Sequence, residues 1–216
     1  EDWEELVKKQ LKTDNIYEIL QKENLENIDV KPYYHNNSEY KLLPKIEEST
    51  HLVAEYQEGL EDQAFAFLLN ENVENLDEKS IFINNAELSE HILTDESNRY
   101  FSLIDVFSDD YKAEINEHLA GELLSKSFER NICIDVSLHQ NSGASIIQQL
   151  SFALAKSKEL VEKFGSEILD KLIFKFAVGS QYFFEIAKIR AFKYLFNQLS
   201  KEFGKDLIPY IFVETS

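Results

Sequence analysis

Methionine is absent from this sequence, cysteine and tryptophan occur once each, and there are only 3 prolines and 6 glycines. Without a methionine, residue 1 is not read as the natural start of the chain. A single cysteine excludes a disulfide framework. Cys133 falls inside an apolar run, where it reads as a small buried hydrophobe rather than a reactive thiol, which needs an accessible, electropositive site. So few prolines and glycines argue against a turn-dense all-β fold. No apolar run approaches the ~20 residues of a membrane-spanning helix, and the start does not read as a signal peptide. Basic residues are scarce: 22 Lys and Arg against 40 Asp and Glu leave a net charge of -18. Nucleic acids and anionic membranes, which call for a basic surface, are therefore poor partners. Phosphate loops of the G-x-x-x-x-G-K-S/T and G-x-G-x-x-G types are missing, as is the G-x-S-x-G elbow. These absences predict a soluble, cytoplasmic chain.

What is present is ample material for one core, with 44% apolar residues over 216 positions. Residues 131–203 organise the rest. Ile132, Cys133, Ile134, Val136 and Leu138 form an apolar run too short for a helix, and Ile173, Phe174, Phe176, Ala177 and Val178 form another, broken only by Lys175. Near-continuous runs of this kind suit parallel strands buried on both faces. Between them Ile147, Leu150, Leu154, Val161 and Phe164 recur at helical spacing, as a parallel crossover requires. The unit reads strand, helix, strand, helix.

The last helix is expected over residues 181–203, capped by Ser180, with a polar stripe of Arg190, Lys193, Asn197 and Lys201. Its remaining circumference is apolar, which implies either a sandwiched position or a covering chain. A strand over 208–213 follows. Upstream, strands are expected at 52–56, 64–69, 81–83 and 101–107, with helices at 86–93 and 111–126. Residues 57–63 leave no room for a long helix between the first two strands, so these either form a hairpin or have lost one. At the start, Trp3, Leu6, Val7 and Leu11 share a helical face, and Asp14 is placed to cap a second helix over 16–22. Residues 27–34 run extended, since Pro32 holds Lys31 away from helical angles.

Two blocks carry a family resemblance: GASIIQQLSFALA and, after the second strand, FAVGSQYFFEIAKIRAFKYL. They resemble the barrel domain of adenosylcobalamin-dependent methylmalonyl-CoA mutases, most of all that of the smaller, non-catalytic subunit. Residues 3–34, ending IDVKPYY, resemble the opening helices of the same family. The resemblance implies an α/β fold: a TIM-type (β/α) barrel over residues 49–216, incomplete at seven or fewer strands, after a helical and extended arm over 1–48. It also implies a heterodimer with a larger catalytic subunit that carries adenosylcobalamin, the two together interconverting methylmalonyl-CoA and succinyl-CoA in propionate metabolism. This chain would bind neither cofactor nor metal, and alone it could self-associate. Trp3, Lys31, Tyr33 and Tyr34 on the arm, and Ile186, Ile189 and Phe196 on the last helix, are the expected interface residues.

Catalytic members of the family carry a Tyr-His pair just before the Gly-Ala motif. Aligned on Gly143-Ala144-Ser145, that pair falls on Ser137 and Leu138, and leucine can neither donate nor accept a hydrogen bond. His139 stands one place later, and one place along a strand points to the other face. The Asp-x-His-x-x-Gly run that supplies the family's cobalt-ligating histidine is missing from this sequence. The expected role is a structural, non-catalytic subunit of an isomerase. The competing reading is a catalytic or acyl-CoA-binding barrel that uses His139 and Asp135. Glu114, His118 and Glu122 share a helical face with metal-site spacing, but in so acidic a chain they read as a solvated face.

Overall fold

A computed structural model describes residues 2–23, 26, 28–33, 49–59, 61–73, 76, 78–91, 98–108 and 113–215. The arm opens with α1 (Asp2–Leu11) and α2 (Ile16–Leu20), joined by a hydrogen bond of 2.5 Å from the Tyr17 hydroxyl to Glu4 Oε1. The N-cap of α2 is Asn15 rather than Asp14, and the helix stops at Leu20. Lys22 begins a short antiparallel pair, β1 (Lys22–Glu23) with β2 (Asp29–Val30). Beyond it, Tyr33 stacks on Trp3 with ring centroids 5.7 Å apart.

The body is mixed α/β with parallel sheets. Strands β3 (Val53–Glu55), β4 (Ala66–Leu69), β5 (Ser80–Ile83) and β6 (Arg99–Ser102) pair in sequential order, all parallel. β7 (Ile132–Asp135), β8 (Leu172–Val178) and β9 (Tyr210–Thr215) do the same. Parallel bridges Phe101 to Arg130 and Asp105 to Cys133 join the two sets. The hairpin alternative for the first two strands is therefore excluded: β3 and β4 are parallel, linked by a connection that contains the 3-10 segment Glu61–Gln63. The strand expected over 101–107 ends at Ser102 and continues as irregular chain held by bridges at Asp105 and Phe107.

Successive strand residues face opposite ways, and two kinds of core result. On one side β7 and β8 present Ile132, Ile134, Leu172, Phe174 and Phe176 to the helices. These are α4 (Glu117–Leu124), α6 (Ile146–Phe164) and α7 (Tyr182–Glu202), while α3 (Ala86–His91) follows β5 and the short α5 (Ser137–Asn141) follows β7. On the other side Ala66, Phe82, Phe101, Leu103, Cys133 and Ile173 make one cluster, joined by Val53 of the first sheet strand and by Tyr210 and Phe212 of the last. Phe82 and Phe101 touch β9 across this interior, with centroid separations of 5.2 Å to Phe212 and 4.9 Å to Tyr210. Since β7 and β8 lie between β6 and β9 in strand order, the sheet must curl to allow this. Between β3 and β9, each paired on one side only among the described residues, lies a cavity of about 410 Å³ lined by Val53, Phe82, Tyr210 and Phe212, with Lys193 and His51 also in its wall.

Several expectations about the helices need correction. Residues 113–116 are not helical, and α4 begins at Glu117 behind the Asn116 cap. Tyr111, where that helix was expected to start, lies outside the described residues, as do the last two positions of the helix expected over 86–93. Ile147 is exposed, and the inward face of α6 runs instead from Ile146 through Gln149 and Leu150. The N-cap of α7 is Gln181, not Ser180. Asn197, expected in its polar stripe, is buried and donates to Asp206 Oδ1 and to the Leu207 carbonyl. Phe196, expected at an interface, is only 1% exposed and packs edge-on against Phe174. No helix among the described residues is long and apolar enough to cross a membrane.

Candidate functional site

The carboxyl ends of the parallel strands are where an α/β fold gathers its chemistry, and here they gather charge. Asp135 ends β7, and its Oδ1 accepts from the Ser137 amide at 2.9 Å and the Ser137 hydroxyl at 2.5 Å. This side-chain turn draws the chain out of the strand and starts α5. Asp135 Oδ2 meets Lys175 Nζ at 3.2 Å, and the same ammonium lies 3.1 Å from Glu214 Oε2 on β9. Asp135, Lys175 and Glu214 thus span three neighbouring strands on the interior face, above the apolar layer of Cys133, Ile173 and Phe212. Burial works against the charge on Lys175, but Asp135 and then Glu214 outweigh it and hold its pKa above the ordinary lysine value.

Asp105 extends the group on the other flank. Its Oδ2 accepts from the Asp135 amide at 2.9 Å and pairs with Lys156 Nζ at 2.9 Å, and its Oδ1 accepts from the Phe107 amide at 3.0 Å. Every cation of this cluster is matched to a carboxylate. Beneath it, burial pushes the Cys133 thiol well above its usual pKa, assisted by the Asp105 and Asp135 charges, so the thiol is inert.

A second cluster surrounds Lys188, whose side chain is fully buried. Its Nζ donates to Gln140 Oε1 at 2.6 Å, the Ala177 carbonyl at 2.8 Å and Gln149 Oε1 at 3.2 Å, and pairs with Glu185 Oε2 at 2.6 Å. One ammonium therefore ties α5, α6, α7 and the end of β8 together. The sequence held a usable signal for it, since Lys188, Phe192 and Phe196 recur every four residues along the buried face of α7.

The expected site residues fall as follows. Ser137, Leu138 and His139 lie on α5, not on a strand, so the pleat argument for His139 does not apply. Ser137 is buried and committed to Asp135, whereas Leu138 points to solvent at 48% exposure. His139 is half-buried over Phe152, with ring centroids 4.4 Å apart, and its Nε2 is buried without a hydrogen-bond partner. Burial, reinforced by the Lys156 charge, holds its pKa below the ordinary value. His139 and Asp135 share no hydrogen bond. His118 is exposed and pairs with Glu122 at 3.5 Å, and no cluster among the described residues could hold a metal ion. Of the expected interface residues, Ile186 and Tyr33 are exposed, Lys31 is exposed, Trp3 is half-buried, and Ile189 packs partly against the main core. Tyr34 lies outside the described residues.

Residues 124–207, which hold most of both clusters, match the family described as Methylmalonyl-CoA mutase. This stretch is similar to methylmalonyl-CoA mutase sequence. Among curated proteins, the methylmalonyl-CoA mutase small subunit of Porphyromonas gingivalis is 40% identical over 70 residues, covering 30% of this chain and 11% of that relative. The methylmalonyl-CoA mutase of Rhizobium meliloti is 30% identical over 109 residues, covering 48% of this chain and 15% of the relative. A third relative, from Cereibacter sphaeroides, is 33% identical over 91 residues, covering 38% and 13%. The chain thus aligns with a small part of each relative's length. Within the mutase stretch lie Asp135, Ser137, Lys175 and Lys188, while Asp105 and Glu214 fall outside it.

Proposed function

We propose that this chain is a structural, non-catalytic part of a methylmalonyl-CoA mutase: the small-subunit side of a heterodimer, folded as an unclosed (β/α) barrel after an N-terminal arm. The observation that carries this reading is the Asp135, Lys175 and Glu214 trio on the interior face at the carboxyl ends of β7, β8 and β9. A barrel enzyme keeps that mouth open for substrate and aims donors at the reacting atoms. Here the charged groups are paired with each other, the Ser137 hydroxyl is spent on Asp135, and Leu138 at the second expected pair position faces solvent. The sequential order of seven parallel strands among the described residues, and the contacts of Phe82 and Phe101 with β9, support the barrel reading. The small-subunit relative supports a larger partner.

Adenosylcobalamin, which the family resemblance implies for the holoenzyme, finds no fitting site among the described residues. His139, on the helix that follows β7, has its Nε2 buried and its ring over Phe152, so it does not present that nitrogen to a cobalt ion. We assign the cofactor to the larger subunit, where it would supply the radical chemistry. The test is product formation. The purified chain with adenosylcobalamin and methylmalonyl-CoA is expected to form no succinyl-CoA, and Ser137→Tyr with Leu138→His should not create activity. Succinyl-CoA above the cofactor-only control, abolished by His139→Ala, would overturn this reading.

A further inference from the structure

The start of α6 is completed by a residue 120 positions away in sequence. Each helix leaves four amides at its N-terminus without an intrahelical acceptor. At α6 these belong to Ser145, Ile146, Ile147 and Gln148. The capping box accounts for two: the Gln148 amide donates to Ser145 Oγ at 3.3 Å, and the Ser145 amide to Gln148 Oε1 at 2.9 Å. The other two donate to Glu26 of the arm, Ile146 to Oε1 and Ile147 to Oε2, the latter at 3.1 Å. A carboxylate bridging two amides at the positive end of a 19-residue helix is matched in charge as well as geometry.

Several contacts of the rest of the arm are internal to it. The bond from Tyr17 to Glu4, the Trp3 and Tyr33 stack and the β1 and β2 pair all lie within it. Leu6, Ile19, Ile28 and Tyr33 remain about half exposed or more, so the arm offers the body little apolar surface through them. We propose that Glu26 is a latch: its carboxylate at the α6 N-terminus fastens the arm to the body, and losing that contact frees the arm while leaving the body folded. The device goes beyond the structural role proposed above and does not depend on it.

The test is Glu26→Gln in the full chain, with Glu23→Gln as the control, because Glu23 lies exposed on β1 and makes no hydrogen bond or ion pair with α6. Amide hydrogen exchange at Ile146 and Ile147, and tryptic cleavage after Lys22, are read together. Loss of one charged cap contact predicts exchange at both amides faster by roughly fivefold to tenfold. Cleavage of the arm should rise in parallel, with exchange in β7 and β8 unchanged and the control like the wild type. Unchanged exchange at Ile146 and Ile147 would overturn the proposal. Faster exchange without faster cleavage of the arm would also overturn it, reducing Glu26 to a helix cap.

Discussion

Asp135 on β7 and Lys175 on β8 stand opposite each other in the parallel register, and their side chains meet at 3.2 Å on the interior face of the sheet. Glu214 on β9 reaches the same ammonium at 3.1 Å. A charge in the interior survives only with such partners. Replacing Lys175 with methionine leaves two carboxylates facing each other and should cost about 1–3 kcal/mol at neutral pH, measured by urea unfolding. Because the folded pKa of Lys175 is raised above 10.5, its contribution is complete below that value and lost as pH rises through the folded value. The gap between wild type and Lys175→Met should therefore be constant at neutral pH and shrink in strong alkali.

Lys188 is the more costly residue to remove. Its buried ammonium donates to three acceptors and pairs with Glu185, which would be left without its countercharge. Lys188→Met should destabilise the chain by about 3–5 kcal/mol, with early loss of protection in α5 and α7 by hydrogen exchange. A loss equal to that of an exposed lysine such as Lys201 would contradict the network.

Phe196 distinguishes core from interface. Truncating an aromatic that is buried between Phe174 and Phe192 should cost about 3–5 kcal/mol. Ile186→Ala, at 40% exposure, should change stability little. If the solvent-facing side of α7 makes a subunit contact, Ile186→Ala should weaken association without loss of stability, whereas Phe196→Ala should destabilise the chain. Chemical denaturation alongside sedimentation separates the two.

His139 gives a pH signature. Its folded pKa lies below the ordinary 6.5, so the unfolded chain takes up the proton first. The contribution of neutral His139 is complete above 6.5 and declines as pH falls through the folded value. Wild type should lose more stability between neutral and mildly acid pH than His139→Gln does. Equal losses would show that the ring is not held in its neutral form.

Legibility from sequence followed the strength of local periodicity. The runs at Ile132 and Ile173, and the spacing from Leu150 to Phe164, located β7, β8 and α6. The five-residue α5 was not legible, because Val136 and Leu138 continue the alternation of a strand; the bonds from Asp135 to Ser137 turn the chain there. Asn197 was read as surface because an amide usually is, and only its tertiary partners reverse that preference. The parallel pairing of β3 with β4 was open for a similar reason, since a connection too short for a full helix accommodates either direction in a sequence pattern. The paired mouth was the least visible. Lys175 stood out as the one break in an apolar run, but its partners Asp135 and Glu214 come from strands 40 and 39 residues away.

The central claim is that the mouth of the interior is closed by its own paired charges and admits no acyl-CoA. Titration calorimetry of the purified chain with methylmalonyl-CoA tests it most directly. The account predicts no saturable binding. Saturable binding abolished by Asp135→Asn or His139→Ala would contradict it.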